Sequence, residues 1–231
     1  MGNPAYFRFF LSQKEALIKI EISFFDPIKL EWYIPGGNGA DHNNSPGVDV
    51  SIPAYIFFKN LDFIDIAYQN SFYMLLKGYE FNNKIHEKQK KMEERGYSVC
   101  FYDKNKHYGF EELCEDLGSE DWRWHIFTNL EKPEPDPILI IEHNGRIGGF
   151  AGPLRVQESG RGFFAGIGVH TDFRSGGSGS VLFATLCKEL KNLGADFMTL
   201  FTGELNPARN IYRAAGFKIV KTWADMRKEL K

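Results

Sequence analysis

Two stretches of this chain carry residues whose types and spacing could do chemistry. The first is VHTDFRSGGSGSVLFATLCKELKNLGA, Val169 to Ala195, in which a strand end runs through a glycine-rich turn into an amphipathic helix. Arg174, Ser175, Gly176, Gly177, Ser178, Gly179 and then Ser180 can present successive backbone N–H groups there. The glycines have no Cβ to obstruct a diphosphate, and the turn lies at the positive end of the helix dipole, so the pattern predicts an anion cradle. The helix is supported by Leu182, Leu186, Leu190 and Leu193 at three- and four-residue spacing, with Lys188, Glu189, Lys191 and Asn192 off that face and Gly194 as its stop. In the second stretch, Asn206 precedes Pro207 as an N-cap would, Tyr212 lies on the short helix Pro207 to Ala215, and Gly216 breaks it before Phe217.

The turn is not a Walker A loop, because no Gly-Lys-Ser/Thr closes it, and it lacks the GxGxxG spacing of a dinucleotide fingerprint. It reads Arg, two residues, Gly, one residue, Gly: Arg174, Gly177 and Gly179. This resembles the pyrophosphate loop of the GNAT superfamily of acyl-CoA-dependent N-acyltransferases, written [QR]xxGx[GA] after a strand ending in a Val-x-Pro-like sequence. Here that end is Val169-His170-Thr171, with Thr171 where many members have proline. Asn206, Ala208, Tyr212, Gly216 and Phe217 follow the same order as the family's next block. The resemblance implies that Arg174 to Ser180 hold the diphosphate of acetyl-CoA as co-substrate, with no metal. It also implies that the backbone of Ile167, Gly168 and Val169 holds pantetheine and the thioester carbonyl. Asn206 is the pantetheine contact on this reading, with Asn210 as the other candidate. Tyr212 would be the general acid, its phenol protonating the leaving thiolate. Arg213, with Arg209, would reach CoA phosphates or only solvate its helix.

The elements that must position these residues are legible upstream. YSVCFYD is a strand, and HYGFEELCEDLG and SEDWRWHIFTNLEK are two helices, the second capped by Ser119. After EKPEPDP come ILIIEHNG and RIGGFAGPLRVQ, joined at Asn144-Gly145 as a hairpin, and then GRGFFAGIGVH. Beyond the turn follow a strand from Phe197 to Thr202 and two final strands, Phe217 to Trp223 and Asp225 to Leu230. The fold class expected is α/β with a mixed sheet that splays beside the turn. A GNAT-like catalytic domain, 97–231, follows a smaller partial unit, 1–80, and a charged helical linker, 81–96, whose helix NNKIHEKQKKMEERG reads as solvated.

The partial unit rests on a comparison of the chain with itself, with a chance echo or a simple β-hairpin extension as the alternative. With Phe63 placed on Phe217, AYIFFKNLDFIDIAYQNSFYMLL echoes RNIYRAAGFKIVKTWADMRKEL, and QKEALIKIEISFFDPIKLEWYIPGG echoes the helix and strand from Leu182 to Glu204. This unit has no RxxGxG turn, and Phe58 stands where Tyr212 does, so one cofactor site per chain is expected. Its aromatic segment FFDPIKLEWYIP should pack on the catalytic unit or complete a homodimer interface.

The strand GFFAGIGVH carries no glutamate to serve as a base, and Glu158, His170 and Glu204 are each better read as surface or turn residues. Trp122, Trp124 and His125 lie on the helix pair that shapes the acceptor site in the superfamily, or simply fill the core. The acceptor is a small-molecule or peptide amine. A non-catalytic acyl-CoA-binding regulatory module is the alternative function. A net charge of −2 argues against a nucleic-acid partner, and no apolar run reaches membrane-spanning length. MGNPAYFRFF lacks signal-peptide order, and three scattered cysteines suit a reducing compartment, so a cytoplasmic location is expected.

Overall fold

A computed structural model describes residues 8–11, 18–22, 46–174 and 176–230. In chain order the elements are β1 (Arg8–Leu11), β2 (Ile18–Ile22), β3 (Val48–Asp49), α1 (Pro53–Asn60), β4 (Ile64–Leu75), α2 (Asn83–Glu93) and β5 (Ser98–Phe101). Then come α3 (Phe110–Leu117), α4 (Glu120–Leu130), β6 (Leu139–His143), β7 (Arg146–Val156) and β8 (Arg161–Val169). A 3-10 turn, Thr171–Phe173, leads to α5 (Ser178–Asn192), β9 (Phe197–Gly203), α6 (Ala208–Ala214) and β10 (Lys218–Leu230). The chain is mixed α/β, and its contacts group into two compact units, one of Met1–Tyr73, Thr199–Asn210 and Phe217–Lys231, the other of Met74–Met198 and Ile211–Gly216.

The second unit holds the meander β5-β6-β7-β8, antiparallel throughout, with the start of β9 added in parallel at Arg161–Phe197 and Gly162–Met198. That parallel ladder ends at Gly162, and Phe163 to Val169 of β8 continue beyond it. Asn144 and Gly145 both take positive φ in the β6–β7 turn, as a tight hairpin of this twist requires. Ile138 and Ile140 join Phe110, Leu113, Cys114, Ile126, Ile147 and Phe150 in one core with α3 and α4. Leu139 and Ile141 alternate with them and are equally buried, and α5 packs against the same strand, so β6 is covered on both faces. Ser119 caps α4, its hydroxyl accepting from Trp122 N at 3.3 Å. Asn129 then pins the proline-rich loop, donating to Asp136 O at 2.8 Å and accepting from Asp136 N at 3.1 Å.

The first unit is built on β1-β2-β10-β4, all antiparallel, with β3 also on β10 and β4 beside β9. Val48, Phe58, Phe63, Ala224 and Met226 form its core. Two expectations are corrected here. The last two strands are one, Lys218–Leu230, which absorbs register shifts at Ile219/Lys221 and Asp225/Met226 without breaking. The segment Ile18–Ile22, placed on a helix by the internal echo, is a strand, in keeping with its alternation Ile-Lys-Ile-Glu-Ile. Most of the echoing segments Gln13 to Gly37 and FFDPIKLEWYIP lie outside the described residues.

Candidate active site

The glycine-rich turn is fixed from below by one aromatic ring. Phe173 is buried against bare Gly148, where an added Cβ would lie 2.1 Å from the ring, and Ser178 Oγ donates to Phe173 O at 2.6 Å. His170 N returns to Gly148 O at 2.9 Å, so strand end and turn share one anchor. Gly176 and Gly177 then take φ of 69° and 88°, a left-handed pair open to glycine at no steric cost, and Gly177 is the N-cap of α5. Ser180 N and Val181 N donate to Gly177 O at 2.9 and 3.2 Å, which commits those amides to the helix. The amides of the residues just before them have no intrahelical partner by helix geometry and lie at the positive dipole end. Ser175 lies outside the described residues.

Arg174 is turned back: its Nε donates to Val169 O at 2.8 Å, and its Nη2 lies 3.8 Å from Asp116. Its side chain ties the turn to the end of β8. Burial pushes the Asp116 carboxyl up, but hydrogen bonds from Thr171 and the proximity of His170 and Arg174 outweigh it and hold the carboxyl below its usual range. His170 is buried, its Nδ1 accepting from Asp172 N at 3.1 Å and its Nε2 3.9 Å from Asp116. With Nδ1 occupied as an acceptor, the imidazole is a brace for the turn rather than a base with an open lone pair. Glu158 is exposed in the β7–β8 turn, and Glu204 is exposed after β9.

Ile167, Gly168 and Val169 form the end of β8, paired to Ala151, Phe150 and Gly149 of β7. Gly168 and Gly166 are bare because α3 and α4 press on them: an added Cβ would lie 2.5 Å from Leu117 at Gly168 and 2.6 Å from Trp122 at Gly166. Trp122 also meets Phe150 edge to face at 5.7 Å, so it fills the core, while Trp124 is exposed. His125 lies 3.7 Å from Asp121; burial pulls its imidazole below the usual range, against the pull of that carboxylate.

Helix α6 brings Ile211 to within 3.5 Å of where a Gly179 Cβ would stand. Tyr212, the next residue, is buried with its ring 4.8 Å from Phe183 of α5, and burial pushes its phenol up to about 12. Arg213 is exposed. Asn206 belongs to the other unit, where its Oδ1 accepts from Ala208 N at 2.9 Å and caps α6. Arg209, also there, donates to Glu204 O.

Two residues join the surroundings of the turn that sequence reading left on a solvated helix. The stem of Lys88, on α2, crosses Gly177, where an added Cβ would lie 2.6 Å from Lys88 Cδ, and its Nζ donates to Ser180 Oγ at 2.9 Å. Arg95, just after α2, has Nη1 3.4 Å from where a Gly176 Cβ would stand. The only available signal was the charge of that segment, since its contact with the turn is long-range.

Among the described residues, no group of three or more His, Cys, Asp or Glu is placed to hold a metal, and no helix is long and apolar enough to cross a membrane. Cys100, Cys114 and Cys187 are free thiols.

A family model described as acetyltransferase (GNAT) family matches residues 89–217. Among solved structures, the chain is similar to a GCN5-related glucosamine N-acetyltransferase region in a fungal multi-domain GH3 β-N-acetylglucosaminidase, with a TM-score of 0.60 and 15% identity over 79% of this chain and 24% of that one. It is similar to a GCN5-related N-acetyltransferase from Sphaerobacter thermophilus, with a TM-score of 0.58 and 17% identity over 79% of this chain and 58% of that one. A tandem GNAT protein from the clavulanic acid biosynthesis pathway gives a TM-score of 0.52 and 14% identity over 79% and 62% of the two chains. The chain thus spans less than two thirds of each of these structures. No curated protein matches it in sequence.

Proposed function

The chain belongs to the acetyltransferase (GNAT) family, a family of acyltransferases, and we propose that it moves an acetyl group from acetyl-CoA to a primary amine of a small molecule or peptide. The observation that carries this reading is the left-handed pair Gly176 and Gly177 opening directly into α5. The positive φ at both positions opens the turn to glycine at no steric cost, and such a turn at a helix start supports close approach of a diphosphate to backbone amides. Acyl-CoA, when bound, supplies an activated acyl thioester and a diphosphate handle. Gly176, Gly177, Ser178 and Gly179 would hold the diphosphate, with Arg174 fixing the turn and Ile167 to Val169 offering the strand end to the pantetheine arm. Arg213 is a further proposed contact.

Tyr212 would act as the general acid. Raised to about 12, its phenol keeps its proton throughout the neutral range and so holds it at Oη for the leaving sulfur. That shift also weakens it as a donor relative to an ordinary phenol near pKa 10, so its efficiency depends on a hydrogen bond formed directly to the leaving sulfur. Proton removal from the attacking ammonium has no assigned side chain, because β8 carries no carboxylate and His170 is engaged at Nδ1. The amine therefore has to reach the site neutral or lose its proton through water.

The test is release of thiol from acetyl-CoA across a panel of amino sugars, polyamines, small amines and peptide N-termini. Sustained turnover with one class is the expected result. Binding of acetyl-CoA with no turnover across the panel would leave the non-catalytic, acyl-CoA-binding reading in its place.

A further inference from the structure

We infer that Asp116 is a positioning residue for the glycine-rich turn: its carboxylate holds Thr171, at the corner between β8 and the turn, by a hydrogen bond that takes the place of a proline ring. Its consequence for acyl-CoA rests on the reading above. Helix α3 is fixed in the core by Phe110, Leu113 and Cys114 and stops at Gly118, whose φ is 62°. Its last turn touches both halves of the proposed cofactor site. Leu117 presses on Gly168 at the strand end, where an added Cβ would lie 2.5 Å from it, and Asp116 Oδ2 accepts from Thr171 N at 2.9 Å.

The corner has the geometry of a proline site. His170 lies at φ −56° and ψ 144°, extended as the residue before a proline is, and Thr171 opens the 3-10 turn, where φ falls near the value of about −65° that a pyrrolidine ring fixes. Threonine keeps an N–H there and restrains φ far less than a ring. The 3-10 turn does not use that N–H, since its donors are Phe173 N, to His170 O at 2.9 Å, and Arg174 N, to Thr171 O at 3.3 Å. Asp116 accepts from it, so the donor that a proline would lack becomes the hold. Arg146 makes a second link from α3, bridging Glu112 at 2.7 Å and Asp172 at 3.2 Å. Those two carboxylates are 54% and 61% exposed, against 19% for Asp116, so solvent screens that link and the Asp116 bond dominates.

Isothermal titration with CoA tests this on wild type, Asp116→Ala, Asp116→Asn, and Asp116→Ala combined with Thr171→Pro. Asp116→Ala should weaken CoA binding about tenfold, the scale of losing one charge-assisted hydrogen bond. Asp116→Asn should stay within about threefold of wild type, because its amide oxygen still accepts from Thr171 N. Adding Thr171→Pro to Asp116→Ala should restore affinity to within about threefold of wild type, since the ring fixes the corner and leaves no donor to satisfy. A carboxylate needed only for the stability of α3 would gain nothing from a proline 55 positions away. If Asp116→Ala does not fold by circular dichroism, Asp116→Ser replaces it in both proteins, with the same expectation. Three results would overturn the role of Asp116 while leaving the acyl-CoA reading standing: wild-type affinity in folded Asp116→Ala, no recovery in the double variant, or Asp116→Asn as weak as Asp116→Ala. Failure of wild type itself to bind CoA would overturn both, and the wild-type titration alone tells the two failures apart.

Discussion

Helix α1 with β4, and helix α6 with β10, share one local order of elements. Each is a short helix, a tight turn, a buried phenylalanine and a long strand: Phe63 before the 12 residues of β4, and Phe217 before the 13 of β10. Each helix also buries one aromatic ring near its end. Phe58 is 4% exposed and meets Phe63 edge to face at 5.4 Å; Tyr212 is 7% exposed and meets Phe183 at 4.8 Å. The difference is a hydroxyl. Phe58 shows that packing at such a position needs only the ring, so the phenol of Tyr212 brings a desolvation cost that packing does not explain. The general-acid role proposed for Tyr212 would give that hydroxyl a use.

Removing either ring should break what the two regions share. Phe58→Ala and Tyr212→Ala should each lose about 3–5 kcal/mol of stability in urea unfolding, the usual cost of emptying a buried aromatic site. A loss under about 1 kcal/mol in either would show that the ring is not a packing element there.

Making the second region like the first should separate packing from chemistry. Tyr212→Phe should keep or slightly raise its melting midpoint and keep its acetyl-CoA affinity while kcat falls about 10²-fold, or about 2.7 kcal/mol of barrier. Equal kcat, with chemistry shown to limit the rate, would remove Tyr212 from the mechanism. The converse change, Phe58→Tyr, should cost about 1 kcal/mol or somewhat more for burying a phenol and add no second cofactor site. A gain of stability would mean that a partner for the hydroxyl already waits in the first unit.

The smallest effect is on pH. The phenol of Tyr212 lies at about 12 in the folded chain and near 10 unfolded. The native state therefore holds that proton more tightly, and its contribution is fully present below about pH 10 and lost as pH rises toward about 12. Wild type should lose more stability than Tyr212→Phe across that interval, measured by unfolding at each pH; parallel curves would contradict the burial of the phenol.

What could be read in advance follows from range. The β6–β7 hairpin, the capped α4 and the turn into α5 are written in neighbouring residues: Asn144-Gly145, Ser119 with Glu120 and Asp121, and Gly176-Gly177. The break placed between Trp223 and Asp225 failed because a buried aspartate reads as a turn. Asp225 instead sits inside β10, accepting from Gln69 of β4 at 3.3 Å, a partner 156 positions away. Leu193, placed on the apolar face of α5, is 47% exposed, since the helix ends at Asn192 and the chain turns at Gly194. Lys88 was unreadable for the same reason as Asp225: its charge is in the sequence, but its contact with Ser180 spans 92 positions.

The most direct measurement is isothermal titration of acetyl-CoA into wild type and into Gly177→Glu, each checked for folding by circular dichroism. Wild type should bind one acetyl-CoA per chain, and Gly177→Glu should bind none, because its side chain adds bulk and negative charge where the diphosphate must approach the amides of α5. A folded Gly177→Glu protein with wild-type affinity would contradict the assignment of this turn as the acyl-CoA cradle.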